Sequence, residues 1–426
     1  MALAQIKKAA ATANFEAGNI SRDVKNAIVR AADEVLEGQM NDQFPLPALM
    51  GGAGTSVHMN MNEVLANRAT EILQKQGKKT VIHPNDHVNR SQSTNDVNPS
   101  AIKVAALPLL QKLSSVLKEL SETFEQKAKQ FKNVIKLART HLQDAVPITL
   151  GEEFGSYAEV IAQHRMEIIR VEALAQILNL GGTAAGNSVN ASPKYKAAVY
   201  KYLNKIIRLD STSGLSESRR AKQQFKPGKN LIPLTNSAGY FLIISQAVNA
   251  MCLDISKIAS DLRLMSSGPR GGLGEITLAE LQNGSSIMPG KNNPVMPETV
   301  NNMYYWVSGN NLSIEHAAGG SQLDLAVMIP TIADKLIQSI KICAQVLEQF
   351  NKRCIASIKA NPKRCRELLE KSTAYSTLLT PILGYEKMSE VVKETVRSGK
   401  TLREIICGQK LMTNKEFDVV INSFMP

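Results

Sequence analysis

The chain has 426 residues, enough for two or three domains at ordinary domain size. Its 43% hydrophobic and 21% charged residues exclude a disordered or fibrous chain. The net charge of +12 admits nucleic acid, acidic lipid or small anions as partners, but with only 5% aromatics and no stacking residues among its basic runs, nucleic acid is the weak candidate.

The first stretch, MALAQIKKAAATANFEAG, carries charged and amide residues where a signal peptide needs an apolar block. No run approaches about 18 uninterrupted apolar residues, so no membrane-spanning helix is expected and the chain is read as cytoplasmic. Two polar stretches follow, GGAGTSVHMNMNE at 51–63 and HPNDHVNRSQSTND at 83–96. From Ile102, apolar residues recur at Ala105, Ala106, Leu109, Leu110, Leu113, Val116, Leu117, Leu120 and Phe124, the three-four spacing of one buried helix face. Pro108 is placed near the start of that helix, where proline is best tolerated. Segments at about 155–179, 232–266 and 322–357 repeat the pattern, with Pro330 expected to kink or interrupt the last.

Between these helices lie ARTHLQDAVP (138–147), GGTAAGNSVN (181–190) and the pair SSGPRGGLGEI and NGSSIMPGKNNPVMPE within 266–298. Period-two alternation is not sustained anywhere, so little sheet is expected. The basic run from Arg219 to Lys229 reads as a solvated loop face. Cysteines at 252, 343, 354, 365 and 407 form no CxxC pair and fit reduced core thiols. The division read from these features is a helical head at 1–95, a central bundle of long helices at 96–350 and a C-terminal helical piece at 351–426.

The polar stretches carry the chemistry. In GSSIMPGKNNP, from Gly284 to Pro294, two glycines and two prolines favour a loop with defined turns. Ser285, Ser286, Lys291 and Asn293 supply donors that suit a carboxylate, although a purely structural turn uses the same residues. Thr55, Ser93, Thr94, Asn95 and Thr140 add short polar groups, and His141 an imidazole that alone would more often be a satisfied core residue. His83 and His87 have metal-pair spacing, but Pro84 intervenes and no HExxH glutamate is present, so no metal is expected. No GxGxxG or Walker sequence occurs, and no cofactor is expected.

GSSIMPGKNNPVMPE resembles the signature of the aspartase/fumarase superfamily, and GGAGTS, SQSTND, RTHLQDAVP and SGPRGGLGEI precede it in that family's order over nearly the whole chain. GGAGTS, LQDAVP and NPVMPE are more similar to the ammonia-lyase branch than to class II fumarases, whereas HPNDHVN looks like the fumarase version. The resemblance implies an all-α, three-domain protomer whose long central helices form the core of a homotetramer. Each active site would be shared by three subunits. It implies cofactor-free release of fumarate from L-aspartate, with fumarate hydration to malate, or a divergent non-catalytic member, as alternatives. Ser285 would be the base, with Lys291 and His141 as its catalytic companions. Thr55, Ser93, Thr94 and Ser286 would hold the β-carboxylate, and Thr140, Lys291 and Asn293 the α-carboxylate. Asn95 and His141 would meet the leaving amine, with Glu298 orienting His141. Gly271-Gly272 would give flexibility to loop closure. Departures from the family pattern are His58 for asparagine, Asn292 for valine, Asn187 and Ser188 in the glycine-rich stretch, Ala326 and Ile329 for polar residues, and a start later than is typical.

Overall fold

The computed structural model describes residues 1–209, 224–282, 284, 287–288 and 290–423. Ser285 and Ser286 lie outside the described residues, as do residues 219–223 of the basic run. The chain forms two compact units, each assembled from three segments. Unit one comprises Met1–Val116, His164–Cys252 and Tyr304–Gln345, and unit two Leu117–Gln163, Leu253–Met303 and Val346–Pro426.

Unit one opens with α1 (Ala2–Glu16), α2 (Arg22–Leu36) and α3 (Thr55–Lys75). Ser21 caps α2 by accepting the Val24 N–H at 3.3 Å, the expected use of serine at a helix start. In α1, buried Ala4, Ala9, Ala10, Ala11 and Ala13 present no bulk, so α2 and α6 (Pro193–Leu209) pack directly on it. Ile28, Leu65, Ile72, Leu73 and Val88 fill the core of this head.

Five long helices make up most of the remainder: α4 (Thr94–Gln130), α5 (Leu150–Ala175), α7 (Gly239–Met265), α8 (Val295–Gly319) and α9 (Ile329–Arg353). The all-α expectation holds, with shifted boundaries. Helix α4 begins at Thr94, so Pro108 and also Pro99 lie inside it rather than at its start. Each interior proline costs about 3 kcal/mol. Residues 96–104 are buried on every side, and that packing outweighs the lost backbone bond. Pro330 is the second residue of α9, where its missing N–H is harmless, so it starts the helix instead of kinking it. The residues before Ile329 include a β-bridge between Gln322 and Leu325, which is why the helical periodicity read from 322 has no helix beneath it.

Helices α4 and α7 are long and apolar enough to cross a membrane by length and composition, a property that counting uninterrupted apolar runs does not detect. Helix α4 carries the buried Asp96 and Lys103 and is mostly enclosed by protein, whereas only half of the apolar window of α7 is covered. Two buried thiols, Cys252 on α7 and Cys343 on α9, lie 3.3 Å apart, and Cys354 and Cys365 are also buried.

Sheet is sparse, as expected, but ARTHLQDAVP is not a connector. It lies within an antiparallel hairpin of β1 (Ile135–Thr140) and β2 (Gln143–Thr149) in unit two. His141 and Leu142, at φ 55° and 60°, form its two-residue turn, the left-handed pair that the twist of a hairpin favours. A hairpin this short lacks the alternation that signals a strand. The C-terminal helices run from α10 (Pro362–Lys371) to α14 (Asn414–Ser423), around a core of Leu369, Tyr375, Leu379, Val391, Ile406 and Phe417.

Unit two is also held by an aromatic cluster in which the Phe154 ring sits 5.2 Å from Phe131, 5.7 Å from Phe124 and 5.8 Å from Tyr157. Phe154 is fully buried. Phe154→Ala is expected to cost about 3–5 kcal/mol of stability, seen as a lowered thermal or urea unfolding midpoint.

Candidate active site

In unit one the polar groups gather where two helix N-termini meet. Gly54 precedes α3 at φ 77°, and a Cβ there would lie 2.6 Å from the Asn98 amide, so only glycine allows the approach. Asn98 Nδ2 donates to the carbonyls of Ala53 (3.1 Å) and Gly54 (3.0 Å), tying the start of α3 to α4. Thr55 is the first residue of α3 and Thr94 the first of α4. Both positions lie at the positive end of a helix dipole, which favours an anion.

Asp96 organises the second N-terminus. Its carboxylate is fully buried and accepts the N–H groups of Ser93 (2.9 Å), Gly181 (2.9 Å) and Thr183 (3.1 Å). Burial pushes its pKa up to about 6, and the three N–H bonds oppose that rise. The 181–190 stretch is thereby fastened beside Ser93, Thr94 and Asn95. Asn95 Nδ2 donates to Ala184 O at 2.7 Å, which leaves its Oδ1 as an acceptor. Ser93 Oγ accepts the Asn95 N–H at 3.2 Å and keeps its own proton. Thr55 Oγ1 donates to Gly52 O at 2.7 Å, so it must turn to donate to any ligand. A polar cavity of about 830 Å³, lined in part by Arg90, Ser93, Thr183 and Asn190, opens alongside.

The remaining site residues belong to unit two. Thr140 and His141 stand exposed at the tip of the β1–β2 hairpin. The hairpin is anchored by a buried ion cluster: Glu275 Oε1 accepts Arg139 Nη1 at 2.8 Å, and Lys136 Nζ lies 3.1 Å from Glu275 Oε2 and 2.6 Å from Glu153 Oε2. Lys291 is exposed and Asn293 half-buried. A Cβ on Gly284 would sit 2.1 Å from Lys291 O, so the two backbones approach closely there and only glycine allows it. Glu298 Oε1 approaches Arg263 Nη2 at 3.8 Å, so within one chain its charge faces Arg263.

The glycine pair expected to be flexible proves unequal. Gly271 is open, but a Cβ on Gly272 would meet Ser267 at 2.5 Å, and Arg364 Nη2 donates to Gly272 O at 3.0 Å. Gly272 therefore serves a tight turn. His83 and His87 serve local backbone: His83 Nδ1 accepts the Asn85 and Asp86 N–H groups, and His87 Nδ1 accepts the His83 N–H at 2.8 Å. Among the described residues no cluster of three or more His, Cys, Asp or Glu is placed to hold a metal ion. Ala326 and Ile329 are buried, which explains apolar residues at those positions. His58 departs from the family asparagine and is also buried, between Lys7 and Thr94. Sequence reasoning does not single out Lys7 and Asp96. Their signal is a polar residue on a stripe of small buried ones, Ala4-Lys7-Ala11-Asn14, and an aspartate in the first turn of a helix.

The lyase family model matches residues 1–309, and the fumarase C C-terminus model matches 376–424. The aspartate ammonia-lyase of Bacillus subtilis is 42% identical over 99% of this chain and 86% of its own length. That of Helicobacter pylori is 42% identical over 97% and 86%. The chain belongs to the aspartase/fumarase superfamily. Among solved structures, the class II fumarase of Schistosoma mansoni aligns with TM-score 0.92 at 34% identity, covering 98% of this chain and 88% of that one. A fumarate lyase:delta crystallin of Brucella melitensis bound to cobalt aligns with TM-score 0.90 at 41% identity, over 99% and 88%. The fold is thus similar to those of a class II fumarase and a fumarate lyase:delta crystallin, while the two relatives compared by sequence are ammonia-lyases.

Two outcomes are expected of this superfamily member. Glu275→Ala strands Lys136 and Arg139 in a buried setting and should cost about 3–5 kcal/mol, measured by denaturant unfolding against the wild type. Burial lowers the Lys7 pKa to about 7, with the charge of Asp96 opposing. The folded state then binds fewer protons than the unfolded one between about pH 7 and 10.5, so the Lys7 contribution is present above pH 10.5 and lost as pH falls through about 7. Lys7→Met should remove this rise of stability with pH, seen by comparing unfolding free energies of the two proteins across that window.

Proposed function

We propose that this lyase is an aspartate ammonia-lyase, converting L-aspartate reversibly to fumarate and ammonia. The observation that carries the reading is the near full-length identity of about 40% to enzymes of that name, together with the retained polar groups. In the forward direction Ser285, as alkoxide, takes a proton from the carbon beside the β-carboxylate. The electron pair spreads into that carboxylate as an aci-carboxylate. It then returns to form the carbon–carbon double bond as the Cα–N bond breaks and ammonia leaves. Such a carbon acid is weak, so donors aimed at the growing charge supply much of the rate. Thr55, Ser93, Thr94 and Ser286 have that task, the two threonines opening α3 and α4 with the helix dipoles behind them. Lys291, Asn293 and Thr140 hold the α-carboxylate. Asn95, whose amide nitrogen is turned to Ala184, offers the oxygen that an ammonium group requires. His141 meets the same amine and Glu298 orients it.

The assembly is read as a homotetramer with each site drawn from three subunits. Exposed apolar side chains on the long helices support it: Ile243, Leu253 and Leu264 on α7, and Tyr305, Trp306 and Leu312 on α8. Apolar surface on this scale is ordinarily covered by partner helices. The three-domain division at 95 and 350 is supported by separate hydrophobic cores, one formed by residues between 4 and 88, the other by residues between 369 and 421 with Leu137. A cytoplasmic setting suits the four buried thiols.

The test follows fumarate absorbance after mixing the purified enzyme with L-aspartate and, separately, with L-malate. A rise with aspartate alone is expected, and a rise with malate alone would assign a hydratase. Ser285→Ala should lower kcat by about 10²–10⁴-fold in a correctly assembled enzyme, and near-normal turnover would remove the serine from the role of base.

A further inference from the structure

A hydrogen-bonded line of three side chains runs from α1 through α3 to the first residue of α4. Lys7 Nζ lies 2.6 Å from His58 Nε2, and His58 Nδ1 lies 2.8 Å from Thr94 Oγ1. Lys7 and His58 are fully buried, while Thr94 is half-buried. Lys7 Nζ also donates to Asn89 Oδ1 and Gln92 Oε1, each at 3.0 Å. Below about pH 7 Lys7 is an ammonium, with three protons and no lone pair, and three acceptors surround it.

That count fixes the tautomer of the histidine. Nε2 must be bare to accept from Lys7, so a neutral imidazole carries its proton on Nδ1. Burial and the neighbouring Lys7 charge both keep His58 neutral, holding its pKa well below the usual histidine value. The Nδ1 proton points at Thr94 Oγ1, which therefore accepts. With its acceptor side filled, the hydroxyl must direct its own proton elsewhere.

We propose that His58 is a positioning residue for the anion subsite at Thr94, turning the hydroxyl proton away from the protein interior and toward a substrate carboxylate. The proposal rests on the reading of Thr94 as a carboxylate contact. An unsupported hydroxyl rotates and offers a lone pair as readily as a proton. A preset donor pays no reorientation when the anion arrives. It also gives position 58 a chemical requirement: an N–H donor aimed at Thr94. An asparagine, the residue of the family pattern, carries an amide N–H of the kind required, and this chain supplies an imidazole whose tautomer Lys7 selects.

The first measurement needs no ligand. Nitrogen chemical shifts of selectively labelled histidine in the whole enzyme, recorded below about pH 7 where Lys7 is charged, report which ring nitrogen of His58 carries the proton. Nδ1–H is expected, and Nε2–H overturns the proposal even if no variant folds. The second measurement is succinate affinity, by calorimetry, for the assembled wild type, His58→Phe, His58→Asn, Thr94→Val and the His58→Phe/Thr94→Val pair. His58→Phe should weaken succinate about tenfold, the worth of one hydrogen bond. His58→Asn should stay within about threefold of the wild type, and His58→Phe should add nothing on the Thr94→Val background. Unchanged affinity in His58→Phe, or an equal loss on both backgrounds, overturns the proposal. Should the wild type itself fail to bind succinate while the shifts report Nδ1–H, the dicarboxylate reading falls and the orientation of Thr94 stands.

Discussion

The polar end of unit one depends on a single buried carboxylate. Asp96 loses its hydration and regains three backbone N–H groups from two segments far apart in sequence. The exchange favours burial only while all three bonds are made, because a buried charge missing a partner costs several kcal/mol. The start of α4 and the 181–190 stretch are therefore fixed together or not at all. Ser93, Thr94 and Asn95 owe much of their relative placement to this, with His58 beside Thr94 and Ala184 beside Asn95 fixing the side chains.

Unit two also uses a buried carboxylate, partnered by cationic side chains in place of backbone N–H groups. Glu275 is buried between Lys136 and Arg139, both on the first strand of the hairpin, and its backbone carbonyl accepts the Asn361 N–H at 2.8 Å. The ions pin the first strand from Lys136 to Arg139, next to the exposed end at Thr140 and His141. In both units the groups that would meet substrate are at least partly exposed, while the carboxylates that fix the backbone behind them, Asp96 and Glu275, are fully buried. That separation lets the contact residues stay available without being loose.

Much of the fold and of the candidate site is legible in the order of residues along the chain. Three-four periodicity identifies the long helices, because a face buried along its length leaves an unambiguous apolar stripe. Signature stretches identify the superfamily, because backbone-specific glycines and convergent donors cannot vary freely in a shared site. What is not legible has equally definite causes. The β1–β2 hairpin is hidden because its exposed face and two-residue turn give no alternation to read. Pro108 lies well inside α4 because burial around residues 96–104, a tertiary property, overrides the local cost of proline.

By itself the sequence determined the helical class, the superfamily and the side chains that bear the chemistry, since these follow from periodicity and residue type along the chain. Only the tertiary structure decided which of those side chains meet. Lys7, His58 and Thr94 sit on three different helices, and their spacing in sequence carries no information about a 2.6 Å and a 2.8 Å contact. The same is true of Asp96 and the loop that it holds. Such pairings depend on how packed helices bring distant residues together and on the cost of leaving a buried polar atom unpaired, neither of which is a local property of the chain.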